Sequence, residues 1–397
     1  MYARAELGPL QESLKASMAL SDQQIALLQG PALAFPLLIF AVPLGLFIDR
    51  YSRKRILMLA TAIDILATIA SGVTREFSVL FASRCAIGAC APMTTIAAYS
   101  LVSDMYRSDT RGRATTVIVL GAVAGTAAAF VIGGQLLSRS GEWGLVMLWT
   151  ACILVPALVA TLFLRDIPRR EQVVETPSLR SVRELFARHW AVVAVLVAGM
   201  ALVGLADGAA LVWTAPTLSR TFALSPARVG TLTGAAIFAS GTLGPLLGGP
   251  LADLCQRSGG PRRAVLLVAV LASLSVPAGL FGALHDIYLS VSLLVLFLIL
   301  GNAISVIVIA LTISVLPNEL RGVSMTIEWG TGAAFGFGVA PLAVAELSVK
   351  LGGAPYIGQA LAIVCAIASL LGMVIFVFAR GMFRGGLEND LGASHLG

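Results

Sequence analysis

Eleven long apolar runs dominate this sequence. Each is close to or above the roughly 20 mainly apolar residues that an α-helix needs to cross a bilayer. In lipid, a backbone must satisfy its hydrogen bonds within the segment or in a closed barrel, and these runs are too long and continuous for barrel strands. The chain is therefore predicted to be an all-α polytopic membrane protein. The runs cover residues 25–48, 55–73, 78–103, 113–137, 144–164, 190–217, 226–251, 264–284, 287–316, 322–348 and 355–379.

The composition supports this class and excludes others. The 397 residues are 58% hydrophobic and only 12% charged, whereas a soluble protein is about 45–50% apolar and about 25% charged. A soluble enzyme, a disordered chain and a disulfide scaffold are therefore excluded. The five cysteines lie in apolar segments without paired CxxC spacing and are interpreted as packing residues. No metal, cofactor or ATP-binding motif is recognisable, so no cofactor is expected.

Basic residues predict the orientation, because Lys and Arg concentrate in cytoplasmic loops. Nineteen of the 27 Lys and Arg residues fall in one alternating set of inter-span segments. This set includes the longest polar stretch, so the central loop and the C-terminus are predicted to be cytoplasmic. The net charge of +6 follows from this topology and gives no reason to expect a nucleic-acid partner. The predicted divisions are an N-terminal bundle (1–164), a linker (165–188), a C-terminal bundle (189–380) and a tail (381–397).

The two halves resemble each other. Residues 20–50 align with 224–254 at an offset of 204, and Arg111-Gly112 aligns with Arg321-Gly322 at an offset of 210. Two copies in the same orientation predict two six-helix bundles related by a parallel pseudo-two-fold repeat.

The repeat also predicts a partial first helix. At the same offset, the counterpart of the run 190–217 would begin before residue 1. We expect the chain to start inside helix 1, through a misassigned start codon or a truncation. The alternative is an eleven-helix protein in which residues 1–19 form an interfacial helix.

A glycine-acid-basic motif occurs in both halves. The segment 45–55 reads GLFIDRYSRKR, and a degraded copy reads GPLAD at 249–253. An aspartate at a helix end can face the positive N-terminus of a neighbouring helix. The pattern resembles the loop motif of the major facilitator superfamily, a family of secondary transporters. The resemblance implies that the loop acts as a conformational latch. The simpler interpretation is that the basic residues only set the topology. The predicted latch residues are Gly45, Asp49, Arg50, Arg53, Arg111, Arg113, Gly249, Asp253 and Arg321.

Two further patterns resemble the same superfamily. Arg84-Cys85-Ala86-Ile87-Gly88 matches its R-x-x-x-G pattern, in which the arginine faces the central cavity. An ionised arginine at this depth costs at least about 2.5 kcal/mol, although a snorkelling arginine is the alternative. A stripe of small residues on the next span is expected to pack between domains, and tight helix packing without gating is equally compatible. This stripe contains Gly121, Gly125, Gly133 and Gly134.

Residues 20–135 are most similar to the spinster-type branch, which includes lysolipid and sphingolipid transporters. That branch usually has an acid seven positions after the fourth-helix arginine, where this chain has Ala91. Its first-helix Asp-Arg pair appears here as Ala3-Arg4. These acids are implicated in proton coupling, so their loss puts that mechanism in doubt.

Few charges remain within the spans. Asp207 and Glu328 are the strongest candidates for a proton relay, and Asp64 is weaker because its helix is expected to be peripheral; a satisfied interhelical hydrogen bond is the alternative for each. Arg4 and Glu6 are expected to face the cavity if helix 1 is complete. Core packing is the alternative for the polar and aromatic candidates. The predicted substrate and coupling residues are Arg84, Asp207, Glu328, Arg4, Glu6, Asn302, Tyr99 and Trp213.

The preferred function is a secondary active transporter, a symporter or antiporter working by alternating access in a bacterial inner membrane. Its partners are expected to be the bilayer, protons and a small amphiphilic organic or lipid-like substrate whose anionic headgroup pairs with Arg84. The chain is expected to act as a monomer. A membrane-embedded enzyme is disfavoured because no catalytic side chains cluster at one depth. A transport-inactive sensor of the same fold remains the alternative.

Overall fold

The structure is a computed structural model that describes residues 1–48, 52–106, 111–164 and 179–382; the side chains of 42–48, 103, 112 and 179–183 are not described. Within these ranges the chain forms helices and no strands, which confirms the all-α prediction. The α-helices are α1 (Tyr2–Ala5), α2 (Gln11–Ser17), α3 (Asp22–Gln29), α4 (Pro31–Ile48), α5 (Arg53–Val73), α6 (Phe77–Met105), α7 (Arg111–Ser140), α8 (Trp143–Leu162), α9 (Leu179–Phe222), α10 (Pro226–Ala278), α11 (Ile287–Val315), α12 (Asn318–Ala333), α13 (Ala340–Leu351) and α14 (Ile357–Met382).

Ten helical segments of the described ranges are long and apolar enough to cross a membrane. The longest, Pro226–Ala283, has 58 residues and contains two predicted spans, 226–251 and 264–284. Its helix is interrupted at Gly259 and Gly260. Gly260 has a φ of 65°, in the left-handed region that glycine adopts without steric cost. The ten segments therefore account for the eleven predicted spans.

Local sequence signals place the helix boundaries. Ser21 and Gln24 form a capping box at the start of α3, in which the Ser21 hydroxyl accepts from the Gln24 N–H at 3.1 Å. Asp286 caps α11 by accepting from the Leu289 N–H at 2.7 Å. The break between α3 and α4 falls at Gly30, directly before a proline. A Cβ at Gly30 would lie 2.6 Å from the carbonyl oxygen of Phe337, so the close backbone approach requires glycine.

The chain groups into two compact units. The first contains residues 1–174, 211–238 and 337–360, and the second contains 175–210, 239–336 and 361–397. In the first, α6 packs on α4 and α5, and α5 also packs on α8. The core of the second combines side chains of four helices, including Leu196 (α9), Val268 (α10), Ile307 (α11) and Phe376 (α14). The division at 164, 188 and 380 stays a prediction, and most of the predicted linker and tail lies outside the described residues.

Glycines bring α9 and α12 close together in the second unit. A Cβ at Gly204 would lie 2.3 Å from the carbonyl oxygen of Gly332, and a Cβ at Gly208 would lie 2.0 Å from that of Gly336. Such distances are possible only without side chains, as in other close membrane-helix contacts. Gly336 belongs to a π-helical segment, Ala334–Val339, that joins α12 to α13.

Candidate functional site

The first unit contains a buried charge cluster, defined here as Arg4, Glu6, Asp64 and Arg84. Arg84, on α6, is fully buried. Its guanidinium donates to the carbonyl oxygens of Leu28 (3.4 Å), Ala3 (3.1 Å) and Arg4 (2.7 Å). Arg84 is therefore buried within the protein, and its described partners are backbone carbonyls.

Two carboxyl groups lie within electrostatic reach of Arg84, namely those of Glu6 and Asp64. Glu6 is 2% exposed, and one of its oxygens accepts from the Thr68 hydroxyl at 3.3 Å. The other Glu6 oxygen and Oδ1 of Asp64 are buried without a hydrogen-bond partner. Asp64 was the weaker candidate in the sequence analysis because its helix was expected to be peripheral, yet in the fold its carboxyl group belongs to the cluster.

Arg4 completes the charge cluster from α1. Its guanidinium carbon lies 4.4 Å above the centroid of the Phe337 ring, an arrangement that stabilises a desolvated cation.

The other predicted polar and aromatic residues are not part of the charge cluster. Trp213 is fully buried and donates its indole N–H to the carbonyl of Pro341 at 3.1 Å, whereas Tyr99 is partly exposed. Asn302, in the second unit, donates to the carbonyl of Leu298 in its own helix.

Asp207 lines a small cavity in the second unit. The cavity has a volume of about 30 Å³, and its walls include Phe297, Phe376 and the hydroxyl-bearing Ser275 and Ser369. This volume can hold about one water molecule. A Cβ at Gly301 would lie 2.6 Å from Oδ1 of Asp207, so the glycine leaves room for the carboxylate.

Glu328 is buried on α12, with 2% exposure. The Thr312 hydroxyl lies 2.8 Å from one Glu328 oxygen and 3.1 Å from the carbonyl of Val308. The second Glu328 oxygen and the hydroxyl of Ser324 are both buried without a partner. Asp207 and Glu328 therefore both lie on apolar helical segments of the second unit, each at its own site.

The Arg220 network, defined as Arg220, Glu12, Asp22 and Lys15, is a site that the sequence analysis missed. Arg220 donates to Glu12 at 2.7 and 3.0 Å and to Asp22 at 2.7 and 3.0 Å. Lys15 donates to Asp22 at 2.6 Å. The network lies in the first unit and connects the start of the chain to the end of α9. Because its residues are far apart in sequence, only the folded chain reveals it.

The latch residues make two kinds of contact. Arg53 forms an ion pair with Asp104 at 2.5 Å, with both side chains largely buried. Arg111 donates to the carbonyl of Tyr106 at 3.1 Å, and Arg321 donates to that of Leu316 at 2.9 Å. Each acceptor ends the helix before its arginine, so the two halves repeat the same contact.

The remaining latch residues contribute little that the structure describes. Arg113 and Asp253 are exposed, and Gly249 has open space where a Cβ would lie. Asp49 and Arg50 lie outside the described residues. For Gly45 only the helical backbone is described.

The four predicted packing glycines have different surroundings. A Cβ at Gly134 would lie 2.4 Å from the carbonyl of Pro226, whereas one at Gly133 would meet the Pro9 ring at 2.8 Å. Gly125 has only a distant neighbour in Tyr2, and Gly121 has none. Gly134 is therefore the member of the stripe that contacts a helix from the other half of the sequence.

Candidate metal ligands do not assemble in the described ranges, which contain no group of three or more His, Cys, Asp or Glu able to hold a metal ion. Each unit instead consists of apolar helical segments with a few buried charged groups. These features define a polytopic α-helical membrane protein.

Comparison with known proteins identifies the family. The model of the Major Facilitator Superfamily matches residues 2–213, and the chain belongs to this superfamily. The members of the family are transporters, not enzymes. An MFS-type efflux pump of Mycolicibacterium smegmatis (strain ATCC 700084 / mc(2)155) is 26% identical over 389 residues, which cover 94% of this chain and 88% of that protein.

Solved structures share the fold. A bacterial homologue of the human lysosomal transporter Spinster, in an inward-facing and unoccupied conformation, superposes with a TM-score of 0.76 at 18% identity, covering 96% of this chain and 92% of that chain. The nucleoside transporter NupG superposes with a TM-score of 0.70 at 13% identity, covering 97% of this chain and 96% of that chain. The predicted major facilitator fold and its spinster-like structure are confirmed.

Proposed function

We propose that this protein is a secondary active transporter that moves a small amphiphilic organic or lipid-like substrate by alternating access and is driven by protons. The superfamily match supports transport, and the efflux pump among its relatives supports export as the direction. The sequence resemblance of residues 20–135 to the spinster-type branch, which includes lysolipid transporters, supports a lipid-like substrate. The proposed setting is a bacterial inner membrane, with the C-terminus in the cytoplasm and the chain as a monomer.

The hydrogen bonding of Glu328 is the observation that carries the proton-coupling proposal. A hydroxyl group has one hydrogen to donate, yet the Thr312 hydroxyl has two acceptors in reach, Glu328 and the carbonyl of Val308. Both hydrogen bonds form at once if Glu328 carries a proton and donates it to Thr312. A protonated Glu328 also avoids the large cost of burying a charged, unpaired carboxylate.

Asp207 is the second proposed proton carrier. No arginine, lysine or histidine lies among the side chains of its cavity, which are mostly apolar. A desolvated carboxylate without a cation favours its neutral form. A water molecule in the cavity would give Asp207 a partner for proton exchange when this part of the protein opens to solvent.

Arg84 is the proposed partner of an anionic headgroup. In the described conformation its guanidinium donates to three carbonyls, so a headgroup has to compete with these neutral acceptors. An anionic acceptor is favoured in that competition, because charge-assisted hydrogen bonds are roughly twice as strong as neutral ones. Arg84→Ala is expected to weaken binding of an anionic lysolipid more than binding of a neutral one of the same chain length.

Uptake into proteoliposomes tests the proposed function. The purified full chain is reconstituted with and without an imposed pH gradient, using a fluorescent lysophospholipid and, separately, the cationic dye ethidium as probes. We expect gradient-dependent movement of the lysophospholipid, and its loss in Glu328→Gln, because the amide cannot exchange a proton. Glu346→Gln is the matched control, since Glu346 is exposed near the end of α13. Failure of both probes to move under any gradient contradicts the transporter proposal and favours a sensor.

A further inference from the structure

The charge cluster contains two carboxyl groups that are close to a guanidinium but not paired with it. Glu6 lies two residues after Arg4, whose carbonyl binds the Arg84 guanidinium. Asp64 lies one helical turn before Thr68 on α5, and the Thr68 hydroxyl donates to Glu6. Among the described residues, neither carboxyl group forms a hydrogen bond or ion pair with an arginine. Each has an oxygen shielded from solvent with no partner. Burying a carboxyl group with such an oxygen costs more free energy when the group is ionised than when it is protonated. In this conformation the cheaper state of the pair is a protonated one.

The N–H groups of the Arg84 guanidinium donate to backbone carbonyls rather than to the two carboxyl groups. They bind the carbonyls of Ala3 and Arg4 in α1 and of Leu28 in α3, which lie on segments flanking Glu6 along the chain. These contacts join α6 to α1 and α3. The position of α1 and α3 against α6 therefore depends on what the guanidinium binds.

Loss of a proton from Glu6 or Asp64 would change the acceptor to which Arg84 donates. When Glu6 or Asp64 releases its proton to water, a charged acceptor appears beside a guanidinium that is bound only to neutral carbonyls. The charge-assisted bond is the stronger one. Arg84 would turn towards the carboxylate and release the carbonyls of α1 and α3.

We propose that Glu6 and Asp64 form one proton-accepting pair whose protonation state decides whether Arg84 binds the carbonyls of α1 and α3 or a carboxylate. This assigns Asp64 a coupling role and rests on the proposed proton-driven transport. Other groups face the pair: Arg4 and the α-amino group of Met1 on the N-terminal segment, the Tyr2 hydroxyl next to them, and the Cys90 thiol on α6. None of these neighbours supplies a hydrogen bond to the free oxygens of the pair.

Infrared difference spectroscopy tests the pair without any substrate. The full chain in lipid is titrated from neutral to acidic pH, and the carbonyl stretch of protonated carboxylic acids is recorded. We expect Asp64→Asn and Glu6→Gln each to remove part of this pH-dependent band, and each to shift the midpoint of the remaining part, because the two groups interact. Asp253→Asn, at an exposed carboxyl group, is the control. A spectrum of Asp64→Asn identical to that of the unsubstituted protein overturns the proposal.

A transport measurement separates this inference from the proposed function. With the fluorescent lysophospholipid, counterflow without a gradient should be retained within about twofold in Asp64→Asn, while pH-driven accumulation should fall at least about tenfold, since an intramembrane proton carrier is lost. Asp64→Glu should keep both the infrared band and accumulation, which excludes a mere folding defect. Normal accumulation in Asp64→Asn overturns the inference. If the unsubstituted protein shows no counterflow, the proposed function fails and the infrared result alone decides the fate of the pair.

Discussion

Arg220→Ala should open the end of the protein that the sequence predicts to be extracytoplasmic. In the Arg220 network, one guanidinium binds two carboxylates from the start of the chain through four hydrogen bonds of 2.7–3.0 Å. The network therefore exists only while the end of α9 lies against α2 and the start of α3. In an alternating-access transporter, a contact of this kind stabilises the state in which this end is closed.

The size of the effect follows from burial. Removing one partner of a buried ion pair costs about 3–5 kcal/mol, because the other charge stays buried without compensation. The side chains of Arg220 and Asp22 are 15% and 8% exposed, but that of Glu12 is 35% exposed, and Lys15 still neutralises part of the charge. We therefore expect about 2–3 kcal/mol, since surface pairs contribute less. This corresponds to about a 30- to 150-fold shift from the closed to the open state.

Cysteine labelling measures the shift. The five native cysteines are replaced by alanine, and a single reporter cysteine is introduced at Thr217, which is 2% exposed. When opening is fast compared with labelling, the rate of maleimide modification is proportional to the open population. Arg220→Ala should raise this rate about 30- to 150-fold, and Arg220→Lys should raise it less because it keeps the charge but loses the planar fork.

Two controls make the measurement decisive. Arg228→Ala removes an exposed arginine of the same region and should leave the labelling rate unchanged. A separate reporter at Ser71, which is buried on α5, should stay unreactive unless the protein unfolds. The reasoning is refuted if Arg220→Ala labels Thr217→Cys no faster than Arg228→Ala does, or if both reporters accelerate together.

Two further substitutions test contacts within single units. Gly208→Ala should lower thermal stability by about 1–3 kcal/mol, because the new Cβ would lie 2.0 Å from the Gly336 carbonyl, whereas Gly372→Ala, with nothing within 4 Å, should have little effect. Arg53→Ala removes an ion-pair partner of the buried Asp104 and should destabilise the protein by about 1.5–3 kcal/mol, the contribution of a hydrogen bond to a charged group. Adding Asp104→Asn should recover part of this loss. Thermal unfolding in the same detergent checks both substitutions, and a double variant no more stable than Arg53→Ala contradicts the ion-pair argument.

The features of the fold that depend on hydrophobic composition and on the internal repeat were predictable from the sequence. Apolar runs of sufficient length located the spans, and the repeat predicted the bundle of the major facilitator fold. The gap between the predicted spans 226–251 and 264–284 contains the break in the helix at Gly259 and Gly260. The π-helical segment Ala334–Val339 was not predictable in this way, because its residues also suit an ordinary α-helix and only the close approach of α9 distinguishes them.

The site was less predictable because its chemistry depends on contacts between distant residues. The position of Arg84 within its apolar run was clear from the sequence. Its carbonyl partners were not, because every residue has a backbone carbonyl and the sequence does not single out the ones that accept. The loss of acids at Ala3 and Ala91 put proton coupling in doubt, yet Glu6 and Asp64 lie within reach of the same arginine. The Arg220 network was missed because Arg220 lies 208 residues from Glu12 and 198 residues from Asp22 in the sequence.

The repeat explains which contacts both halves share. Arg111 and Arg321 make the same contact with the carbonyl that ends the preceding helix. This contact needs only local geometry, so two copies of one helical unit reproduce it. The ion pair of Arg53 with Asp104 needs a buried acid on a second helix, and in the other half Asp253 and Arg257 are exposed. A charge in water contributes little compared with a buried one, so the start of α5, where Arg53 lies, is the copy in which a change of charge can alter the conformation.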